Sequence, residues 1–571
     1  MFNITKSIDQ FNRTINSERE VLLVGLIALL IYLPGIFWGL PYATHALGVH
    51  SWETDAVTGM QALSELHNLF IEPKPDWYLA YPTFHYLLIG ALYTPYLGFL
   101  FLTGQFTQPG PVYPFGFSDP VSAIRNLIII AKILTVLMAS GIVINAYLTA
   151  RVIWDKQTAR ITALAVALPT TMIFYSRTGN LEVPVLFWMS LTILTVALSI
   201  TKGLTIKRAI WIGIFAGVSV ATKDSAYGSL SIALISLLFI HFWYGTPNTE
   251  NTSSWKAPLA LVLTGLFVFL LAGGFFISPS RFFGHISFIR NFDKTFYLVI
   301  QLDNLYPQTL SGYWNLFLEI VEDMIKSLGP LFLITGIAGL IISWRASVFV
   351  KILSLMFLAH IILVIFQVRH MQYRYIMVPA FIFAFFIAPA LITGLRNSRK
   401  SVVAFTTLIM ILGFGWLSLR AVDLTYQMHY DSRYEAGEWI KENANATSKI
   451  AFFTDPNSLP HLEKGIIPVS LIRDPSPIKT LQEQQIEFVL VQSDWSSKIG
   501  SDRSHFFPER VYKKITDGSI GYEKAASFET APLFKWFLLD LPLVTPGYIV
   551  NPPLKIYQLK TDENTSKREK E

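Results

Sequence analysis

Cysteine is absent from the chain, which excludes a disulfide framework and any thiolate metal site and leaves the redox compartment unread. Charge is scarce too. Only 15% of the residues are charged, against about 25% in an average soluble protein, so most of the length is not an ordinary water-soluble globule. In place of charge the 571 residues are 52% hydrophobic and 14% aromatic, a composition that expects lipid as solvent. No internal repeat or low-complexity tract stands out. No cleavable signal is expected either: residues 1–20 are polar, carry Lys6, Arg13 and Arg19, and lead straight into VLLVGLIALLIYLPGIFWGL. That run is close to the ~20 residues a bilayer crossing needs, and it reads as a retained first span with the N-terminus cytoplasmic.

Further apolar runs lie near 84–104, 122–147, 161–175, 183–200, 209–222, 227–244, 257–278, 328–344, 348–367, 375–395 and 402–420. The net charge of +6 is modest, but its distribution is informative. Arg151, Lys156 and Arg160 form one basic link, Lys202, Lys207 and Arg208 a second, Arg345 and Lys351 flank a third, and Arg396, Arg399 and Lys400 make a fourth. Short cytoplasmic loops collect such residues. Were 84–104 a full span, the parity of every later loop would flip and all four links would face outward. A juxtamembrane or re-entrant 84–104 keeps them inside, the alternative being a twelfth span with a misleading charge bias. The expected fold is therefore a polytopic α-helical membrane protein of about eleven spans over residues 1–420, with one long external first loop at 41–121.

Beyond residue 421 the pattern changes. DSRYEAGEWIKEN has helical spacing, while SKIAFF, IEFVLVQ (486–492) and LKIYQLK (554–560) read as strands separated by polar turns. Residues 421–560 are expected to form a soluble extracytoplasmic α/β domain, and 561–571 a disordered tail.

The stretch GVHSWETDAVTGMQAL, residues 48–63, sets Glu53 and Asp55 about a dozen residues beyond the first span. That position is cheap, and a solvated loop pair would account for it. Other chemistry gathers on the same predicted face. FYSRTGNLEVPVLFWM brings Arg177 and Glu182, a tight turn brings Lys223 and Asp224, and FQVRHMQYRYIMVP brings Arg369, His370 and Arg374. Arg125 and Lys132 lie in the outer half of a span, where Lys132 either snorkels outward or serves as a cavity cation. A carboxylate can act as general base on an acceptor hydroxyl while cations stabilise a departing phosphate, so the set suits transfer from a lipid-phosphate donor. Arginine grips phosphate through its fork and lysine as a point charge. His50, His285 and His370 read as interface or packing residues rather than ligands.

On these residues the chain resembles the integral-membrane GT-C glycosyltransferases, above all the dolichyl-phosphate-mannose protein mannosyltransferase-like group (family 39) and its aminoarabinose-transferase relatives. HSWETDAVTGMQAL stands where that family has an acidic motif, and YPTFHYLL, with Tyr81 and Pro82, where it has Tyr-Pro-Ser-Leu. Pro82 fixes the start of the 84–104 helix, juxtamembrane in the family. Arg125 precedes LTV at 134–136 as the family's arginine does, NLEVPVLFW offers Glu182 for its aspartate, and Lys223 matches an Ala-Thr-Lys ending. Counting back from Ala62 puts Asp55 at the family's glutamate, whereas counting forward from His50 puts Glu53 there.

The resemblance implies an inverting transferase that moves a sugar from a polyprenyl-phosphate donor to a protein, lipid or glycan acceptor on the outer face of the plasma (inner) membrane. It implies Asp55 or Glu53 as base, Glu182 as a second carboxylate, Arg125, Lys223, Arg374 and Arg177 at the donor phosphate, and Tyr81 and Pro82 as loop-positioning residues. No cofactor is required by it, a divalent metal is left open, and membrane lipid rather than nucleic acid is the expected surroundings. The competing readings are a polytopic lipid or sugar-lipid carrier or flippase, whose charges usually lie near mid-membrane, and a catalytically dead membrane scaffold.

Overall fold

In lipid every backbone N–H and C=O must find a partner within the chain, and a helix does this locally. The apolar runs accordingly fold as helices, in a computed structural model that describes residues 4–40, 42–44, 48–50, 52, 60–74, 80–243, 255–290, 306–445, 447–453, 459–462, 465–472, 474–492, 509–534 and 550–560. Glu53, Asp55 and the tail 561–571 lie outside the described residues. Seven helices among them are long and apolar enough to cross a membrane, or up to eight if a bent pair counts as one span. The protein is an integral membrane protein of largely helical architecture with a small C-terminal sheet.

Several runs depart from simple spans for identifiable reasons. Pro169 divides 161–175 into helices Lys156–Ala167 and Thr170–Tyr175: its backbone, at φ −53° and ψ 138°, leaves the helical region, and with no N–H it cannot continue the helix hydrogen-bond ladder. Helices Leu310–Leu328 and Pro330–Trp344 meet at a 106° bend. Gly329 sits in the bend at φ +79°, a conformation open to glycine, and Pro330 starts the second helix where its missing N–H costs nothing. Three helices begin outside the apolar runs named above: Met60–Phe70, Pro279–Arg290 and Leu310–Leu328.

The chain divides into two compact units. One comprises residues 1–36, 57–97 and 130–421. Its innermost helix is Met377–Leu395, buried along nearly its whole length. Helices Ile206–Thr222 and Lys256–Ala272 pack closely through Gly213, Gly217 and Gly265, where an added Cβ on Gly213 would stand 2.8 Å from the Leu261 carbonyl.

The other unit comprises residues 37–56, 98–129 and 422–571. Its main sheet contains β3 (Lys449–Phe452), β4 (Ile467–Ser470), β5 (Phe488–Gln492), β6 (Tyr522–Phe528) and β7 (Leu554–Leu559), in the order β4-β3-β5-β7-β6. The first three run parallel, and β7 and β6 add in antiparallel fashion. Central β5 is buried at all five positions, and apolar clusters cover both faces of the sheet. A short antiparallel hairpin, β1 (Tyr42–Thr44) and β2 (Gly48–His50), belongs to the same unit.

Candidate active site

Glu182 opens the helix Glu182–Lys202, with its backbone N–H donated to Asn180 Oδ1 at 3.1 Å. A carboxylate in a first turn faces the positive end of the helix dipole. Lys223 closes the helix Ile206–Thr222 from the opposite polarity, its N–H bonded to the Ser219 carbonyl at 3.1 Å. Arg374 lies in a single 3-10 turn, Tyr373–Ile376, reached after Arg369 takes a left-handed φ of +52°. A non-glycine residue there is uncommon, and it reverses the chain between two spans.

These three side chains meet. Lys223 Nζ is hydrogen-bonded to Glu182 Oε1, and Arg374 Nε stands 3.7 Å from the same oxygen. Glu182 and Lys223 are only 5% and 8% exposed, so the pair sits in a low dielectric where its electrostatics are strong. The second oxygen, Glu182 Oε2, is buried with no hydrogen-bond partner among the described residues. Tyr81 joins from the loop before the helix Phe84–Leu102, with its ring centroid 5.8 Å from Lys223 Nζ. Pro82 is buried beside it, and Thr83 Oγ1 donates to the Ala272 carbonyl at 3.1 Å, pinning that helix start.

Two more ion pairs extend the cluster along the helix Pro279–Arg290. His285 Nε2 lies 3.1 Å from Asp224 Oδ1, next in sequence to Lys223. One turn earlier, Arg281 pairs with Glu65 of the helix Met60–Phe70, and both are buried. Burial outweighs the Arg281 charge and pushes the Glu65 carboxyl up to about 7. Sequence reasoning missed Glu65 because one acid within an amphipathic pattern carries no mark of its partner. It read His285 as a packing residue, whereas its ring faces a carboxylate.

The remaining candidates go elsewhere. Arg177 donates to the carbonyls of Ile31 at 2.9 Å and Tyr32 at 3.3 Å, satisfying the end of the helix Ile4–Tyr32. Lys132 is fully buried, so it does not snorkel to solvent. His370 is held neutral, at about 4, by burial and the nearby Arg374 charge. Arg125 belongs to the second unit, where its charge bears on Tyr434 and His461. Among the described residues no three His, Asp or Glu side chains converge as metal ligands.

No family model matches the chain, and no curated protein matches it. Solved structures similar to it include the oligosaccharyltransferase AglB of Archaeoglobus fulgidus in the apo form, at 12% identity and a TM-score of 0.47 over 94% of this chain and 88% of that one. ArnT from Cupriavidus metallidurans in the apo state gives 12% identity and a TM-score of 0.46 over 95% and 98% of the two chains. The arabinofuranosyltransferase AftD from Mycobacteria gives 12% identity and a TM-score of 0.41 over 95% of this chain and 40% of its own. At such identities the likeness is one of chain arrangement and singles out no family, family 39 included.

Proposed function

We propose that this protein is an inverting GT-C glycosyltransferase that moves a sugar from a polyprenyl-phosphate donor to an acceptor hydroxyl on the extracytoplasmic face. One observation carries the reading: Lys223 and Arg374, delivered by separate helices, converge on one oxygen of the buried Glu182. An arriving phosphate presents the same acceptor chemistry as that carboxylate, with more oxygens, and can take over both cations. Asp55 or Glu53 accepts the proton of the acceptor hydroxyl as its oxygen bonds to the anomeric carbon. The bond from that carbon to the phosphate oxygen breaks, and the lipid phosphate leaves with the electron pair, its growing charge met by Lys223 and Arg374.

A carrier would need no base. Purified protein incubated with a radiolabelled polyprenyl-phosphate sugar is expected to transfer or hydrolyse the sugar, and an inert donor would refute an enzyme. Asp55→Asn, or failing that Glu53→Gln, is expected to abolish transfer in a protein that still inserts. Full activity in both removes the base assignment. Lys223→Met is expected to lower the transfer rate ~10²–10³-fold, the usual cost of one charge-stabilising donor.

A further inference from the structure

Pro330 has no backbone N–H, so the carbonyl four residues before it, that of Lys326, cannot close the usual bond in the last turn of the helix Leu310–Leu328. Thr170 takes that carbonyl instead. Its Oγ1 donates to the Lys326 oxygen at 3.0 Å, which spends the one hydroxyl proton. The Tyr373 hydroxyl is hydrogen-bonded to the same Thr170 oxygen, and it must then be the donor. Beside this bridge Thr171 Oγ1 and Ser327 Oγ lie 2.9 Å apart, a second joint between the same two helices. Thr170, Thr171, Ser327 and Tyr373 are all fully buried. No water can replace a hydrogen bond lost there, so each group depends on its partner.

Tyr373 opens the 3-10 turn Tyr373–Ile376, and the next residue is Arg374, whose Nε stands 3.7 Å from Glu182 Oε1. The other end of this chain reversal is held by the same helix. At Arg369, the left-handed residue, the carbonyl accepts the Tyr306 N–H at 2.9 Å, and the Tyr306 hydroxyl donates to Glu319 Oε2 at 2.7 Å. Glu319 lies two helical turns before Lys326 in Leu310–Leu328. Lys326 Nζ stiffens the last turn of that helix by pairing with Glu322 at 2.7 Å and Asp323 at 3.1 Å. Every residue in this set of bonds belongs to the unit that holds Glu182 and Lys223. The segment 369–376 is thus fastened near both ends to one helix, with Arg374 between the fastenings.

We infer that Tyr373 and Thr170 are positioning residues for Arg374. Through them the Lys326 carbonyl, left open by Pro330, fixes the turn that presents the guanidinium to Glu182. The inference rests on the phosphate-binding role proposed above for Arg374, and it adds the residues that keep that cation in place for the lipid phosphate.

The test is a double-mutant cycle on full-length purified protein, read as the Kd of undecaprenyl phosphate, with thermal melts confirming that each variant is folded. Arg374→Met is expected to raise Kd at least ~10-fold, as for loss of a charged hydrogen-bond donor. Tyr373→Phe and Thr170→Val, which keep shape and remove one hydroxyl each, are expected to raise it ~3–10-fold. Thr170→Ser, which keeps the hydroxyl, is expected to stay within twofold of wild type. The decisive arm adds Arg374→Met to Tyr373→Phe or to Thr170→Val: with the cation gone its support has nothing left to hold, so the double variants should bind within twofold of Arg374→Met alone. A merely structural loss would multiply instead. Losses that multiply, or a wild-type Kd in both folded Tyr373→Phe and Thr170→Val, overturn the inference and leave the phosphate role of Arg374 standing. An unchanged Kd in Arg374→Met overturns that role and the inference with it.

Discussion

Glu65 and His461 are both buried titratable groups, and they tilt stability in opposite directions. Glu65 is pushed up to about 7, so the folded chain holds a proton that the unfolded chain releases near 4.5, and stability falls as pH rises through that interval. For His461 burial, aided by the Arg433 and Arg125 charges and opposed by Asp431, lowers the ring from its ordinary 6.5 to about 4. The unfolded chain then binds the extra proton, so stability is lost as pH drops below 6.5 and recovers as it rises. Detergent-solubilised protein should show the two terms separately. Between pH 4.5 and 6.5, Glu65→Gln is expected to make the melting temperature climb more steeply with pH, and His461→Gln to flatten or reverse the climb. The individual candidates were unevenly legible: Glu182 and Lys223 carried their motif on their sleeve, whereas nothing local announced that Arg177 would be spent on the carbonyls of Ile31 and Tyr32.

Helices were the easiest elements to foresee, since a run of apolar residues in lipid has few other ways to satisfy its backbone. Their breaks were harder. The span that begins at Val348 passes through a π-helical turn at Ile361–Ile365, beside His360, whose Nδ1 lies 3.2 Å from Ser229 Oγ. In the sheet, β3, β5 and β7 were plain from apolar runs, while IPVS and YEKAASF, both on sheet edges and only partly buried, had too little patterning to stand out. Close helix contact supplies an element-scale prediction. A Cβ on Gly217 would stand 2.8 Å from the Gly265 carbonyl, so Gly217→Ile must push the helices Ile206–Thr222 and Lys256–Ala272 apart. A loss of about 1–3 kcal/mol is expected in reversible unfolding, with Lys223 at the end of the same helix displaced and transfer slowed accordingly.

Orientation belongs to the whole molecule. The four basic links at 151–160, 202–208, 345–351 and 396–400 argue for a cytoplasmic N-terminus and an outer C-terminal domain. Single cysteines introduced at an exposed domain site such as Lys479 and at Arg399 should label differently in intact cells. Residue 479 is expected to react with an impermeant maleimide, and residue 399 only after permeabilisation. The reverse pattern would place the domain in the cytoplasm and end the proposed scheme.

By itself the sequence determined the solvent, the helical habit and the α/β character of the C-terminal end, because these follow from composition and from patterns a few residues long. It also nominated the cations and acids as a pool. Only the tertiary structure decided which of them meet: that Lys223 and Arg374 share Glu182, that Arg281 takes Glu65, and that Trp52 is held by Arg433. Partners separated by tens to hundreds of residues are chosen by packing, and packing leaves no local trace in the chain.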